Sequence, residues 1–328
     1  MRALICVEYG TAEQLQIGEH QLRPLKASEV RIDVRAAGIN FPDALIIAGK
    51  YQVKPPLPFV PGGECAGVVS AVGDAVKNFK VGDRVIAMPG MAAFAEQVQV
   101  DENLLVPMPD NLTFEQAAGF CITYATSYYA LKQRAGLQPG ETLVVLGAAG
   151  GVGVTAIQLG KALGARVIAC ASTPEKLAFC RDVGADELVN YCSEDLKERI
   201  KALTDGRGAD VIFDPVGGDF TEAAYRSIAW SGRYLVIGFA SGDIPRLPMN
   251  LPLLKAGDIM GIFWGSWAQR EPKANLQNFS ELLQMVEEGR LKPLTTEVYH
   301  FEEYVQAFAS ITERRARGKV ILTLSQRG

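Results

Sequence analysis

The chain has 328 residues, of which 48% are hydrophobic and 21% charged, and its formal net charge at pH 7 is -4. This length exceeds the size at which one hydrophobic core usually keeps growing, so we expect two domains, with a single large barrel as the alternative. The 37 acidic and 33 basic residues are spread along the chain without a basic stripe. This distribution argues against a nucleic-acid partner.

The cysteines and the apolar runs indicate the cellular compartment of the protein. Six cysteines lie far apart and form no CxxC pair, which favours reduced thiols. No apolar run approaches the roughly 20 residues that cross a bilayer, and the first residues lack the apolar region of a signal peptide. We therefore expect a soluble, unprocessed, cytoplasmic protein without a membrane partner.

Short β-branched runs separated by turn residues fill the first 110 residues. Among them are 30–36, 67–73 and 84–87. Such runs with Pro- and Gly-rich corners predict an antiparallel β domain. The segment 80–84 would form the tight turn of one of its hairpins.

The pattern changes after Thr113, which has the spacing of a capping box with Gln116 and predicts the start of a helix. Apolar strands are then expected at 142–146, 166–170, 210–214 and 233–238, with helices at 152–163 and 174–183 between the first three. This alternation is typical of an α/β fold with a doubly wound parallel sheet. The segment 258–264 would end that sheet, and at an edge it could pair with its twin in a homodimer.

A glycine-rich loop, 147–153, connects the first of these strands to its helix. Glycines there allow a tight turn and close approach of the backbone to a pyrophosphate, and the helix N-terminus offers N–H groups and a positive dipole end. The sequence therefore predicts a dinucleotide site with Ala149, Gly150, Gly151 and Val152 among its ligands. A packing turn without a ligand is the alternative.

The end of the second strand, 171–173, distinguishes between the two nicotinamide cofactors. An NAD site normally has an acid there for the ribose 2′-OH, and a carboxylate would repel a 2′-phosphate. This chain has none. Ser172 and Thr173 could donate to a phosphate instead, with Lys176 on the next turn and Tyr191 after the next strand. We therefore predict NADPH, although Lys176 alone could be a solvated helix residue.

Four runs together with the domain order resemble the quinone oxidoreductase branch of the medium-chain dehydrogenase/reductase superfamily. The runs are 38–43, 61–67, 148–153 and 318–320. The resemblance covers essentially the whole chain. It implies a GroES-like antiparallel β domain at 1–122, completed by 267–328, and a Rossmann domain at 123–266 that binds NADPH.

The metal-ligand positions depart from those of the zinc-dependent members of this superfamily. Asn40 stands where they have Cys, Gly63 stands where they have His, and the lobe of four closely spaced cysteines is missing. Because catalytic zinc needs about three protein ligands, we expect no bound metal. Hydride acceptors whose product anion is delocalised, such as quinones and enones, need the least help without a Lewis acid.

The resemblance implies that Asn40, Asp43, Tyr51 and Thr126 surround the nicotinamide. Asn40 and Thr126 would bond its carboxamide and ribose, and Tyr51 could orient the substrate oxygen or deliver a proton. Structural alternatives exist for each. Asn40 and Asp43 could cap a helix beginning near Phe41, Tyr51 could be a packing residue, and Thr126 could bond a carbonyl one turn back.

Strand-end segments also resemble parts of the nicotinamide pocket in this family. The residues concerned are Gly238, Phe239, Ala240, Phe263 and Trp264. For the last two, edge packing or dimer contact is the alternative. Lys319 would approach the cofactor phosphates, although basic clusters such as 314–319 are often solvated helix ends. We expect Cys65 and Cys121 to be core residues.

The predicted activity is NADPH-dependent reduction of a quinone in a homodimer. One alternative is reduction of the C=C bond of an enone, an alkenal or an enoyl thioester. Another is an NADPH-binding protein with a structural or sensory role. The sequence does not distinguish quinone reduction from C=C reduction, because the shape of the pocket selects the acceptor.

Overall fold

A computed structural model describes residues 1–324. These residues form two compact units, one from Met1–Ile122 together with the chain after Pro293, and the other from Thr123–Lys292. The strands are, in chain order, β1 (Arg2–Cys6), β2 (Leu15–Glu19), β3 (Glu29–Ile39), β4 (Glu64–Val72), β5 (Arg84–Ala87), β6 (Gln97–Asp101), β7 (Leu105–Pro107), β8 (Thr142–Val145), β9 (Arg166–Ala171), β10 (Glu187–Asn190), β11 (Ala209–Asp214), β12 (Ile228–Val236), β13 (Asp258–Gly261), β14 (Thr295–His300) and β15 (Lys319–Thr323).

Helices connect many of these strands. In chain order they are α1 (Phe41–Ile47), α2 (Phe114–Ala118), α3 (Cys121–Tyr128), α4 (Gly151–Ala162), α5 (Pro174–Val183), α6 (Leu196–Leu203), α7 (Phe220–Arg226), α8 (Asn250–Lys255), α9 (Trp264–Arg270), α10 (Pro272–Glu287) and α11 (Tyr304–Thr312). A π-helical segment, Tyr129–Arg134, extends α3. No helix within residues 1–324 combines the length and the apolar character that a membrane crossing requires.

The first unit contains the predicted antiparallel sheet. Its strand order is β14-β15-β3-β4-β5-β7, with β6 also paired to β3, and β1 and β2 form a separate hairpin. The turn between β4 and β5 is closed by the N–H of Asp83, which donates to Lys80 O at 3.2 Å. Phe94 and Phe308 meet edge to face in its core, with ring centroids 6.0 Å apart. The C-terminal segment thus completes the core of this unit.

The second unit contains a parallel sheet in the order β10-β9-β8-β11-β12-β13. From β8, the chain adds β9 and β10 on one side of the sheet and then β11, β12 and β13 on the other side. This is the doubly wound arrangement that the alternating pattern predicts. All four residues of β8 are buried, as expected for a strand covered on both faces. The predicted final strand, β13, lies at the edge of the sheet.

Helix α10 belongs to the second unit, whereas the sequence placed it in the first, after residue 267. Its Glu281 accepts a hydrogen bond from the Tyr128 hydroxyl at 2.5 Å and pairs with Lys132, and its Asn278 accepts from Gln133 Nε2 at 2.6 Å. Because these contacts tie α10 to the segment after α3, the chain returns to the first unit only at Pro293.

Candidate functional site

The glycine loop forms a turn too tight for side chains. Gly147 has a φ of +54°, and a Cβ added at Gly153 would lie 2.5 Å from Gly147 O. Gly150 is the N-cap of α4 and brings no capping side chain. The first-turn N–H groups of α4 can therefore bind phosphate oxygens, which is the property that a dinucleotide needs at this position.

The predicted ribose-phosphate region lies at the end of β9. β9 ends at Ala171, and the hydroxyl of Thr173 caps α5 by accepting the Lys176 N–H at 3.3 Å. Ser172 and the side chain of Lys176 are half-buried. Tyr191 packs against Phe220 with ring centroids 4.3 Å apart. The structure thus gathers these residues beside β9, and their contact with a cofactor stays a prediction.

One edge of the parallel sheet collects the other predicted cofactor residues. Because all six strands are parallel, the segments after β8, β9, β12 and β13 leave the sheet at the same edge. In open α/β sheets, ligands bind at this carboxyl edge. Gly238, Phe239 and Ala240 follow β12, and Phe263 follows β13. The rings of Phe239 and Phe263 are 36% and 58% exposed.

Trp264 occupies a different setting from the predicted strand. It begins α9, and its indole N–H donates to Asn275 Oδ1 at 3.0 Å. Its ring packs edge to face with Phe279, at a centroid distance of 6.4 Å. These contacts within the second unit support a packing role for Trp264.

In the first unit, Asn40 and Asp43 form the cap that was one of the two predicted alternatives. Asn40 is the N-cap of α1, and its N–H donates to Asp43 Oδ2 at 2.7 Å in a capping box. The Asn40 amide also donates to Glu64 Oε1 at 3.0 Å, while Asn40 Oδ1 accepts from Lys319 Nζ at 2.6 Å. Direct contact of Asn40 with a nicotinamide remains a prediction.

Lys319 is buried in the first unit and is not part of a solvated basic cluster. Its ammonium lies 2.8 Å from Glu64 Oε1 and donates to Ile39 O at 3.1 Å. A Cβ at Gly119 would lie 2.4 Å from Lys319 Cγ, so this glycine makes room for the side chain. The ammonium thus has protein acceptors inside this unit, and its predicted approach to cofactor phosphates is untested.

Glu64 is a residue that the sequence analysis did not single out. Its side chain is fully buried, and its second oxygen accepts the Ile122 N–H at 2.9 Å. The sequence feature that could have identified Glu64 is the presence of an acid inside the otherwise small and apolar run 61–67, where an unpaired charge would be costly. Its partner, Lys319, is too distant in the chain to be inferred from that run.

Asp43 and Tyr51 lie close enough to influence each other. Asp43 is 4% exposed. Burial raises the pKa of its carboxyl to about 7, although the Asn40 N–H and the charge of Lys319 act in the opposite direction. Partial burial and then the negative charge of Asp43 raise the pKa of Tyr51. Asn40 and Asp43 therefore lie together in the capping box, Tyr51 is near enough for the charge of Asp43 to affect it, and Thr126 lies half-buried on α3.

Cys65 and Cys121 are core residues, as the sequence predicts. Cys65 and Cys121 are fully buried, and burial raises the pKa of both thiols.

Within residues 1–324, no group of three or more His, Cys, Asp and Glu side chains is arranged to hold a metal ion.

Asp214, at the end of β11, is a second residue that the sequence analysis did not assign to the site. Its carboxylate is buried and accepts the N–H groups of Val216 and Gly217. The sequence signal was its position directly after an apolar strand, at the carboxyl edge where cofactor-binding segments lie.

The fold and the site define a two-domain oxidoreductase class, and comparison with known families agrees. Residues 26–110 match the family described as alcohol dehydrogenase GroES-like domain, and residues 151–286 match the family described as zinc-binding dehydrogenase. The quinone oxidoreductase-like protein 2 of Bos taurus is 40% identical, over 98% of this chain and 92% of the relative. The chain belongs to the quinone oxidoreductase branch of the medium-chain dehydrogenase/reductase superfamily.

Other relatives and solved structures are consistent with this membership. The quinone oxidoreductase of Pseudomonas aeruginosa is 36% identical, over 96% of this chain and 97% of the relative. The structure of Escherichia coli quinone oxidoreductase complexed with NADPH has a TM-score of 0.92 at 29% identity, covering 98% of this chain and all of the other. CurK enoyl reductase has a TM-score of 0.91 at 28% identity, covering 99% of both chains.

Proposed function

We propose that this protein reduces a quinone by hydride transfer from NADPH without zinc. The observation that carries the proposal is the carboxyl edge of the parallel sheet, where an uncapped helix N-terminus lies beside a strand end that carries hydroxyls and no carboxylate. The relatives named as quinone oxidoreductases and the E. coli structure in complex with NADPH support the same assignment.

The chain's own residues would divide the binding of NADPH between them. The first-turn N–H groups of α4 would hold the pyrophosphate, with Ala149 and Val152 beside it. Ser172, Thr173 and Lys176 would hold the 2′-phosphate, because hydroxyls and an ammonium donate to a dianion that a carboxylate would repel. When bound, NADPH supplies the hydride.

The side chains at the positions where the zinc-dependent members of the superfamily have metal ligands do not fit a catalytic zinc. A metal held through Asn40 would have to share Asn40 Oδ1 with the Lys319 ammonium, which lies 2.6 Å from that oxygen. Two cations this close repel each other strongly in a buried setting. This geometry supports a reaction without a Lewis acid, and hence an acceptor that delocalises its own negative charge.

Tyr51 is the proposed hydrogen-bond donor to the acceptor oxygen. Asp43 beside it, with a pKa of about 7, holds a proton in a fraction of the molecules at neutral pH. Tyr51→Phe should lower kcat about tenfold to a hundredfold, the value of one hydrogen bond to a developing charge. The dissociation constant of NADPH should not change, since the cofactor ligands are untouched.

A second candidate is reduction of the C=C bond of an enone, an alkenal or an enoyl thioester. The likeness to CurK enoyl reductase favours it. The two activities differ in the acceptor and share the proposed cofactor site. Comparison of kcat/KM for a benzoquinone, an enal and an enoyl-CoA would separate them, and a preference for the thioester by several orders of magnitude would replace the first proposal.

We also propose that the protein is a homodimer formed through β13. This strand lies at the edge of the parallel sheet and has backbone groups available for pairing. Ile259 of β13 is 44% exposed, and Leu253 of the preceding helix α8 is 79% exposed. Pairing of β13 with its twin would cover both the edge and this apolar surface.

The activity is tested by stopped-flow mixing of the protein, NADPH and a small quinone, following the absorbance of NADPH. Oxidation of NADPH that depends on both protein and quinone is expected. Folded protein that binds NADPH but reduces no quinone, enal or thioester would contradict an enzymatic role. Failure to bind NADPH would contradict the cofactor assignment itself.

A further inference from the structure

The loop after β11, residues 215–218, lies between two segments of the proposed cofactor site; we name it the bridging loop. On one side, a Cβ added at Gly147 would lie 2.8 Å from Val216 Cγ2, so the loop packs against the glycine turn. On the other side, the Ala240 N–H donates to Pro215 O at 3.0 Å and the Ser241 N–H donates to Val216 O at 2.9 Å. Displacement of the bridging loop would therefore disturb both segments.

Asp214 fixes the bridging loop. Its Oδ1 accepts the N–H groups of Val216 at 2.7 Å and of Gly217 at 2.9 Å. Its Oδ2 accepts the hydroxyl of Thr221 at 3.2 Å and that of Tyr234 on β12. The carboxylate is 3% exposed. One buried group thus joins the bridging loop, α7 and the neighbouring strand.

Phe239 is the ring that the bridging loop supports. A Cβ at Gly217 would lie 2.8 Å from Phe239 Cδ1, and Gly217 has a φ of +68°. The loop backbone therefore contacts the exposed aromatic ring that follows β12. A larger residue at position 217 would displace either the Phe239 ring or the bridging loop.

We propose that Asp214 is a positioning residue for NADPH, acting through the bridging loop on the glycine turn and on Phe239. The inference rests on the proposed function, because it assumes that NADPH binds at the carboxyl edge of this sheet. Displacement of the glycine turn would lengthen its hydrogen bonds to the cofactor phosphates, and loss of one charge-assisted hydrogen bond corresponds to roughly a tenfold to hundredfold loss of affinity. The four hydrogen bonds to a buried carboxylate restrict movement of this kind, because loss of any partner leaves a buried polar group unpaired.

The first test compares two glycine substitutions at similar positive φ. Gly217→Ala and Gly206→Ala both place a side chain at positive φ, +68° and +78°, but a Cβ at Gly206 meets nothing within 4 Å. Both should lower the melting temperature through strain at positive φ, and Gly217→Ala should lower it at least as much as Gly206→Ala, because its Cβ also meets the ring of Phe239. Only Gly217→Ala should raise the dissociation constant of NADPH, by about tenfold or more, measured by fluorescence titration.

The second test compares Asp214 with a buried hydroxyl near the opposite end of β11. Thr204 is 1% exposed, donates to Ile200 O at 2.8 Å and accepts the Gly208 N–H at 2.9 Å. Thr204→Val should lower the melting temperature and leave NADPH binding unchanged. Asp214→Ala should weaken NADPH binding about tenfold to a hundredfold. Asp214→Asn should remain within about threefold of the wild type, because its oxygen can accept the same two N–H groups and its amide can donate to the two hydroxyls, which then act as acceptors.

The outcomes separate the inference from the proposed function. Wild-type protein that does not bind NADPH would overturn both. The positioning role alone would be overturned if Asp214→Ala and Gly217→Ala bound NADPH as tightly as the wild type while their melting temperatures fell at least as far as those of the two controls. Weakened binding in these two variants, with rescue in Asp214→Asn, would support it.

Discussion

The ammonium of Lys319 lies 2.8 Å from the carboxylate of Glu64, and the two side chains are 7% and 0% exposed. This ion pair connects β15, the last strand described, to the start of β4, and both partners also hold the side chain of Asn40. Removal of one partner would leave a buried charge without compensation. The pair therefore fixes Asn40 and anchors the C-terminal segment to the first unit.

Lys319→Met should destabilise the protein by about 3 to 5 kcal/mol, because Glu64 would keep an uncompensated buried charge. Addition of Glu64→Gln to the same chain should recover part of this loss, since both charges of the pair are then removed. The control is Arg315→Met, which removes an exposed, solvent-screened pair with Glu313 and should destabilise the protein far less. Urea unfolding measures all three, and equal effects of the two single substitutions would contradict this account.

Asp43 should make stability depend on pH. Burial raises the pKa of this acid from 3.8 to about 7 in the folded chain, so the folded state binds a proton more tightly than the unfolded state. Its contribution to stability is complete below about pH 4 and is lost as pH rises to about 7. Over this range the stability of the wild type relative to Asp43→Asn should fall, by up to roughly 4 kcal/mol. Urea unfolding at several pH values tests this, and a flat difference would contradict the raised pKa.

Lys176→Ala should weaken NADPH more than NADH. A charge-assisted hydrogen bond to a phosphate contributes about 1.5 to 3 kcal/mol, equivalent to roughly a tenfold to hundredfold loss for NADPH alone. Lys273→Ala, at an exposed lysine of α10, serves as the control for loss of a charge. Dissociation constants for both cofactors would be measured by fluorescence titration. Equal weakening of NADPH and NADH would remove Lys176 from the site.

Ile259→Lys should shift the protein from dimer to monomer. A lysine on an edge strand opposes pairing with a second strand, because it places a solvated charge in the new interface. The control is Val81→Lys, at a 61% exposed residue in the turn between β4 and β5. Sedimentation velocity would give the mass of each variant. A wild type that is monomeric, or an Ile259→Lys variant that stays dimeric, would contradict assembly through β13.

Much of the fold follows from local patterns along the chain. The α5 helix spans the predicted residues 174–183, and the capping box of Thr113 with Gln116 starts α2 as expected. The structure groups α10 with the second unit and not, as the sequence placed it, with the first, because a helix sequence does not show which distant element covers it. That element is the segment after α3, distant in the chain.

The sequence by itself determined the cofactor class and the arrangement of the parallel sheet, because glycine spacing, apolar strands and a missing acid after β9 are local features. Only the tertiary structure decided that the Asn40 side chain bonds both Glu64 and Lys319, that Lys319 is buried against Glu64, and that Asp214 joins the bridging loop to Tyr234. These are pairings of polar groups, and burial makes each partner necessary. Residue type indicates that a buried charge needs a partner, while the folding of distant segments together determines which one it finds.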